Sequence, residues 1–496
     1  MTDQSAPPTP HSSVAAVVVL AAGAGTRMRS AKSKLLHQVA GRSLVSHAIR
    51  SGESIAPHRM IVVVGMLRDQ VEAHLAEVAP EVTVVGQSED GYGTGHAMRC
   101  AMSALTDVDG EVIVLGGDVP MLQPETLAAM VESHRAERAA ITILSARVPD
   151  PTGYGRIIRA ADGQVDRIVE QKAGTPEELA VDEINSSIYV FDAAVLRDGL
   201  ARLTDDNPAG EYLLTDVVGF ARADGRRVTA WMTDDVQQTE GVNDRVQLAA
   251  MHAEMNRRIL HRWMLAGVTI LDPATTWIHD GVELAEDVTL LPGTSLEGAT
   301  TVAPGAVIGP ETTLIDTEVG RDARVVRAHA ELAVIGDEVE VGPYARLRPG
   351  TELATGAKVG TFVEAKNTHV GPGAKVPHLA YVGDGEIDEG ANIGAGVVFA
   401  NFDGLAKSAA TVGRHSFVGS NSTLIAPVTV ADGSYVAAGS TVTGDVAPGQ
   451  LAVARGQQRN IKGWVDRKRP GTPTASAAHR ADGDSSADRT GSEERA

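Results

Sequence analysis

From about residue 280 onward, aliphatic side chains recur at every sixth position, and this register constrains the fold more than any other feature of the chain. Leu284, Leu290, Leu296, Val302, Ile308 and Leu314 keep strict step, as do Val412, Val418, Leu424, Val430, Val436 and Val442. Between these runs lie Ile335, Val341, Leu347, Leu353 and Val359, then Val370, Val376 and Val382, then Ile387, Ile393 and Phe399. An isolated helix or strand does not sustain such a register for so long. Six residues make one flat side of a triangular coil, with the aliphatic residue inward and a small residue about two positions away filling the corner. Stacked coils then share one continuous core, so the register predicts a parallel β-helix. Leu314 to Val319 is a step of five, a small irregularity, and Asn401–Thr411 is a larger interruption expected to form an exposed loop. A narrow prism has little room for rings, which accounts for an aromatic content of only 3%.

The 496 residues suit two or three domains. Lys plus Arg is 44 and Asp plus Glu is 64, a formal net charge of −20. That balance argues against broad nucleic-acid binding, which needs a basic surface, and leaves room for a local basic pocket. Cys100 is the single cysteine, which excludes an intrachain disulfide framework and a cysteine-rich metal site. By itself it reads as a small apolar residue on a helix. No apolar run approaches the ~20 residues of a membrane span. The N-terminus, MTDQSAPPTPHSS, lacks the pattern of a secretory signal. The expectation is a cytoplasmic protein with neither nucleic acid nor membrane as partner.

The first half reads differently. Val14–Leu20, Met60–Val64 and Val112–Leu115 have the continuous apolar character of buried parallel strands. Leu44–Ser54 and Arg68–Val78 suit helices. Their alternation predicts a doubly wound, Rossmann-like α/β domain over 14–242. Residues 243–267 have helical spacing and end at Gly267, a linking helix with one buried face. The β-helix is expected over 268–469. Residues 1–13 and the tail 470–496, which lack apolar periodicity, are expected to be disordered.

The first strand runs into LAAGAGTRM (Leu20–Met28), with Lys34 six residues on. Gly23 and Gly25 let the backbone approach a ligand and aim N–H groups at phosphate. The spacing is neither GxGxxG nor GxxxxGK[ST], and alone it describes an ordinary strand-to-helix turn. Arg27 and Lys34 add two cations suited to a triphosphate. Asp118, in LGGDVPML, follows a strand end, where ligands of open α/β sheets bind, and a carboxylate there suits Mg²⁺. Taken alone, Asp118 is equally a capping or turn residue.

LAAGAGTRM, Gln87 with GTGHA, LGGD, GYGRI, IVEQK, EIN, EYLLTD and GVNDR occur in the order seen in sugar-1-phosphate nucleotidyltransferases. Joined to hexapeptide coils, residues 14–469 resemble the bacterial bifunctional N-acetylglucosamine-1-phosphate uridyltransferase / glucosamine-1-phosphate N-acetyltransferase family. The resemblance implies a left-handed β-helix, a homotrimer, and substrates glucosamine-1-phosphate, acetyl-CoA and UTP with Mg²⁺. It places the nucleotide at Leu20, Ala21, Ala22, Gly23, Gln87, Gly93, Thr94, Gly116 and Gly117, with Arg27 and Lys34 on the triphosphate. It gives Mg²⁺ to Asp118 and Asn243, and the amino-sugar phosphate to Gly155, Glu170 and Asn185.

An amine attacking a thioester must be uncharged, so the β-helix needs a base. A lone histidine in a coil turn is usually structural. The resemblance places the base at His378 and phosphate cations at Arg348 and Lys366. Tyr381 and Asn392 fall on sugar contacts. Acetyl-CoA falls on Ala395, Asn401, Phe402, Ser420, Ala438 and Arg455, with Trp464 and Lys468 following the last coil to cover the CoA. Implied too is the order of reactions, acetylation first and uridylyl transfer second, toward peptidoglycan and other envelope polymers.

Several positions depart from the family pattern. Ser33 stands where proline is usual before the lysine, which predicts a less rigid loop. Ser187 replaces a glycine two residues beyond the sugar-contacting asparagine, predicting crowding of the sugar site. Tyr92 stands for leucine, Phe402 for tyrosine and Asn421 for aspartate. Two alternatives remain at this stage: an enzyme with one live site, and a non-catalytic sugar-nucleotide sensor. Within the enzyme class, dTTP with glucose-1-phosphate is the runner-up.

Overall fold

A computed structural model describes residues 14–23 and 25–480 in two compact units divided between Phe362 and Val363. The expected disorder of 1–13, the glycine-loop residue Ala24 and the tail 481–496 lie outside the described residues.

The first unit opens with a nine-stranded sheet. Its main path runs Val228–Met232, Ile141–Arg147, Glu183–Asp192, Glu111–Gly116, Ala16–Ala21, Arg59–Val64 and Thr83–Gly86. The last four are mutually parallel, and Glu183–Asp192 runs antiparallel between two neighbours. Ala16–Val19 are buried on both faces, which is why that strand is an unbroken apolar run. One face packs against helix Thr94–Ser103 through Met98 and Ala101, the other against helix Leu44–Glu53 through Val45 and Ile49. Helices on both faces leave the carboxyl ends of the strands as the free rim.

Helix Arg245–Leu265 follows, capped by the Asp244 carboxylate, which accepts from the Val246 and Gln247 N–H groups. Asn256, 7% exposed, donates to the Thr276 carbonyl and accepts from the Ile278 N–H, closing the first coil. Asp280 takes Arg42 and Arg50 as partners.

Short parallel strands in three sheets then wind upward, Leu290 beside Ile308 and Leu296 beside Leu314. Those partners stand three hexapeptides apart, one triangular coil. The residue two before each aliphatic is small and buried: Thr294, Thr300, Ala306, Thr312, Thr317 and Ala323. The Thr294 and Thr300 hydroxyls donate 2.7 Å bonds to the Leu291 and Glu297 carbonyls, so the corner buries no unpaired hydroxyl.

The second unit repeats the pattern, with Phe399 beside Leu424 and Val412 beside Val430. The expected loop is present, and a bridge between Phe402 and Lys407 folds it back. The disorder expected from Pro470 is corrected over the described part, because residues 473–480 are helical. Thr472 supplies the cap, accepting from the Ala475 N–H, and Pro473 and an alanine-rich run follow. This capping signal carries no apolar period. Among the described residues, no helix is long and apolar enough to cross a membrane.

Candidate functional site

At the rim of the sheet a cavity of about 270 Å³ is lined by Leu20, Ala21, Ala22, Gly23, Lys34, Gln87, Tyr92, Gly93, Thr94, Gly116, Asp118, Ser187 and Glu211, among others. Ten sequence-derived residues therefore meet in one place. Gly93 has φ 107°, and an added Cβ would lie 2.5 Å from the Tyr212 carbonyl oxygen, so only glycine fits. The Thr94 hydroxyl accepts from the Leu214 N–H at 3.1 Å, tying this helix start to the EYLLTD segment.

Lys34 is the centre of the cluster. Its side chain is 9% exposed, and Nζ donates to Asp118 Oδ2 at 2.5 Å and to Asn243 Oδ1 at 3.2 Å. Asp118 also ties its backbone carbonyl to the Val242 N–H. Two hard oxygens thus converge on a spot that already holds a cation, the donor chemistry that suits Mg²⁺ with phosphate and water completing its shell. Among the described residues no group of three or more His, Cys, Asp or Glu is gathered for a metal.

Ser33, 5% exposed, donates its backbone N–H to Gln70 Oε1 at 3.0 Å, and Gln70 Nε2 donates to the Ala31 carbonyl. Proline has no N–H to make that bond. The loop before Lys34 is therefore clasped from outside by the Gln70 side chain.

A second cavity of about 430 Å³ is lined by Gly153, Glu170, Lys172, Glu211 and Asp216, among others. Glu211 lines both cavities. Glu170 accepts from the Thr215 hydroxyl at 3.1 Å. Burial, with the nearby Asp216 and Glu211 charges, pushes its carboxyl above the usual range, and burial raises Asp216 as well. Asn185 and Gly155 pair on adjacent strands and line neither cavity. Asn185 is 4% exposed, its amide donating to Tyr189 and accepting from the Ser187 N–H. Gly117 also stands outside the lining, and Arg27 sits exposed on the turn Thr26–Met28. Ser187 has φ 62°, lines the first cavity and not the cavity of Glu170, and its side chain is a hydrogen-bond partner of the buried Tyr189 hydroxyl.

In the second unit, Lys366, Tyr381 and Asn401 gather around Asp384. Asn401 and Asn367 donate to the two Asp384 oxygens at 2.5 and 2.8 Å. Burial alone would raise the Asp384 carboxyl, but these bonds and the Lys366 and Lys407 charges outweigh it and hold it below its usual range. Lys407 escaped the sequence reading. It comes from the looped-out segment, and the Lys366 ammonium beside it pushes its own ammonium down. A lysine inside an irregular loop carries no register to flag it. An added Cβ on Gly383 would lie 2.5 Å from the Tyr381 hydroxyl and 2.7 Å from Asn401 Nδ2, so this glycine lets both groups close over it.

His378 ends strand Lys375–His378 with its side chain exposed, and Asn392 is half-buried beside Lys375. Ala395, Ser420 and Ala438 stack along one corner through bonds from Asn421 N–H to the Ala395 carbonyl and Gly439 N–H to the Ser420 carbonyl. Phe402 and Arg455 are exposed. Arg348 belongs to the first unit, half-buried, its carbonyl accepting from the Thr351 hydroxyl.

A phosphate-binding rim on a largely parallel sheet and hexapeptide coils in one polypeptide define a two-part transferase, nucleotidyl transfer joined to acyl transfer. Residues 17–176 match the MobA-like NTP transferase domain. A Kineococcus radiotolerans protein named Bifunctional protein GlmU is 53% identical over 486 residues, 98% of this chain and 97% of the relative. Proteins of the same name from Streptomyces avermitilis and Mycolicibacterium vanbaalenii are 52% and 51% identical, each over 466 residues, with 94% and 93% of this chain and 96% and 94% of the relative covered. The chain belongs to the family of bifunctional GlmU proteins.

Proposed function

We propose that this enzyme makes UDP-N-acetylglucosamine in two steps, acetylating glucosamine-1-phosphate from acetyl-CoA and then transferring UMP from UTP to the acetylated sugar. The observation that carries the reading is the convergence of Lys34 on Asp118 and Asn243 at the glycine-loop cavity, in a chain that aligns end to end with the bifunctional family. A sensor that only binds does not require a metal at the reacting phosphate.

In the acetyl transfer, His378 takes the proton that the sugar amine must lose. The nitrogen attacks the thioester carbonyl, the new C–N bond forms, the C–S bond breaks, and the CoA sulfur leaves and takes the proton back from His378, which regenerates the base. Lys366 and Lys407 hold the sugar phosphate, and Tyr381 and Asn392 orient the ring. Ala395, Asn401, Phe402, Ser420, Ala438 and Arg455 are the acetyl-CoA contacts. An open coil face cannot enclose a sugar and a pantetheine arm, which favours a homotrimer with shared sites.

In the uridylyl transfer, a phosphate oxygen of N-acetylglucosamine-1-phosphate attacks the α-phosphorus of UTP in line, and the bond to pyrophosphate breaks. The Leu20–Gly23 backbone, Gln87, Gly93 and Thr94 hold the nucleotide. Lys34 neutralises developing charge, Arg27 meets the outer phosphates from its turn, and Glu170 takes the amino-sugar. Asp118 and Asn243 would hold Mg²⁺, which would supply charge neutralisation at the phosphates. The setting is cytoplasmic, where the product feeds peptidoglycan and other envelope polymers.

A coupled assay with glucosamine-1-phosphate, acetyl-CoA, UTP and Mg²⁺ tests both halves. Lys34→Ala should lose pyrophosphate release and keep CoA release, and His378→Ala should lose both, with pyrophosphate release restored when N-acetylglucosamine-1-phosphate is supplied. CoA release surviving in His378→Ala would remove the proposed base.

A further inference from the structure

We propose that the Lys34 ammonium is an internal counter-ion, holding the divalent-cation position between Asp118 and Asn243 and leaving it for the phosphates when metal arrives. The inference rests on the reading of Asp118 and Asn243 as the metal ligands.

Three features of the site support an exchange. First, one ammonium spans both oxygen donors, at 2.5 Å from Asp118 Oδ2 and 3.2 Å from Asn243 Oδ1. Second, the donors are held facing it. Asn243 Nδ2 donates to the Gly241 carbonyl at 3.3 Å, which leaves Oδ1 as the atom presented, and the Asn243 N–H is taken by Gln247 Oε1 at 2.8 Å. Third, the lysine is packed at its base, and it lines the nucleotide cavity. An added Cβ on Gly25 would lie 2.7 Å from the Lys34 Cβ.

The ammonium pairs the Asp118 carboxylate, whose side chain is 26% exposed at the cavity rim. A divalent ion on the same two oxygens would meet a like charge a few ångströms away, and that repulsion opposes holding both at once. Metal entry and Lys34 release are therefore one event, which delivers the lysine to the phosphates only when the metal is in place. The nucleotide-free chain consequently binds metal weakly.

Mn²⁺ binding to the full-length protein without nucleotide is the test, read by electron paramagnetic resonance. Lys34→Met should bind Mn²⁺ about 10-fold or more tightly than wild type, since the competing cation is gone. The double variant with Asp118→Asn should lose that gain. In wild type, reductive methylation of Lys34, read by mass spectrometry, should rise as Mn²⁺ saturates the protein. Unchanged labelling at saturation overturns the proposal whatever the variant does, and so does equal or weaker Mn²⁺ binding by Lys34→Met. Mn²⁺ bound by neither protein, even with UTP, removes the metal-ligand reading itself, and the proposal falls with it.

Discussion

Ser33 donates its backbone N–H to the side-chain oxygen of Gln70, 37 residues along the chain, at 3.0 Å. The loop that presents Lys34 is thereby held by a partner on helix Arg68–Val78 rather than by a proline ring. Gln70→Ala should lower the rate of pyrophosphate release several-fold and leave CoA release unchanged. Ser33→Pro, whose φ of −53° already suits proline, should trade the lost bond for a stiffer chain and hold stability within about 1 kcal/mol of wild type by thermal unfolding.

Gly93 tolerates no side chain. Gly93→Ala meets the Tyr212 carbonyl at 2.5 Å and a left-handed backbone together, a strain of about 1–3 kcal/mol. Uridylyl transfer should fall about 10-fold or more, with acetyl transfer intact in the same preparation.

Ser187 separates two readings of one substitution. Because Ser187 lines the first cavity and not the second, Ser187→Gly should change the KM for UTP and leave the KM for N-acetylglucosamine-1-phosphate unaltered. The reverse pattern would restore the sequence-based expectation of a crowded sugar site.

Lys407→Ala should raise the KM for glucosamine-1-phosphate about 10-fold, since it removes one of the two adjacent lysines proposed to hold the sugar phosphate, while pyrophosphate release from UTP and supplied N-acetylglucosamine-1-phosphate stays at the wild-type rate. Steady-state kinetics of CoA release at several sugar concentrations would show it.

Glu254 on the linking helix gives an acid signature. Bonds from Arg257, then Arg258, hold its carboxyl down at about 2 despite partial burial. A carboxyl lowered in the folded state stabilises it above the ordinary value of 4.5, and that contribution drains away as pH falls from there toward 2. Glu254→Gln should be less stable than wild type at neutral pH and lose less stability across that window, as followed by denaturant unfolding at several pH values.

Local pattern and distant pairing divide the molecule between them. The six-residue period was readable along the chain because it is imposed on consecutive residues: each side of a coil is one hexapeptide, and Leu290 meets Ile308 simply by completing a turn. The glycine loop was readable for the same reason, as a run of neighbours at a strand end. The helix at 473–480 escaped because a hydroxyl cap and alanines carry no apolar period. Lys407 escaped because an irregular loop has no register. Asn185 pointed to a sugar contact by motif, yet the Tyr189 hydroxyl holds its amide inside the sheet.

The amino-acid order alone was enough for the coils, the α/β sheet and the kind of chemistry at their rims, since each follows from hydrophobic period or from motif. Which groups touch was settled by folding. Lys34 reaches Asp118 and Asn243 across 84 and 209 residues, and whether that lysine meets phosphate or carboxylate depends on where the sheet rim and the start of the linking helix come together in space. Charge acts through distance, and distance in space is not carried by separation along the chain.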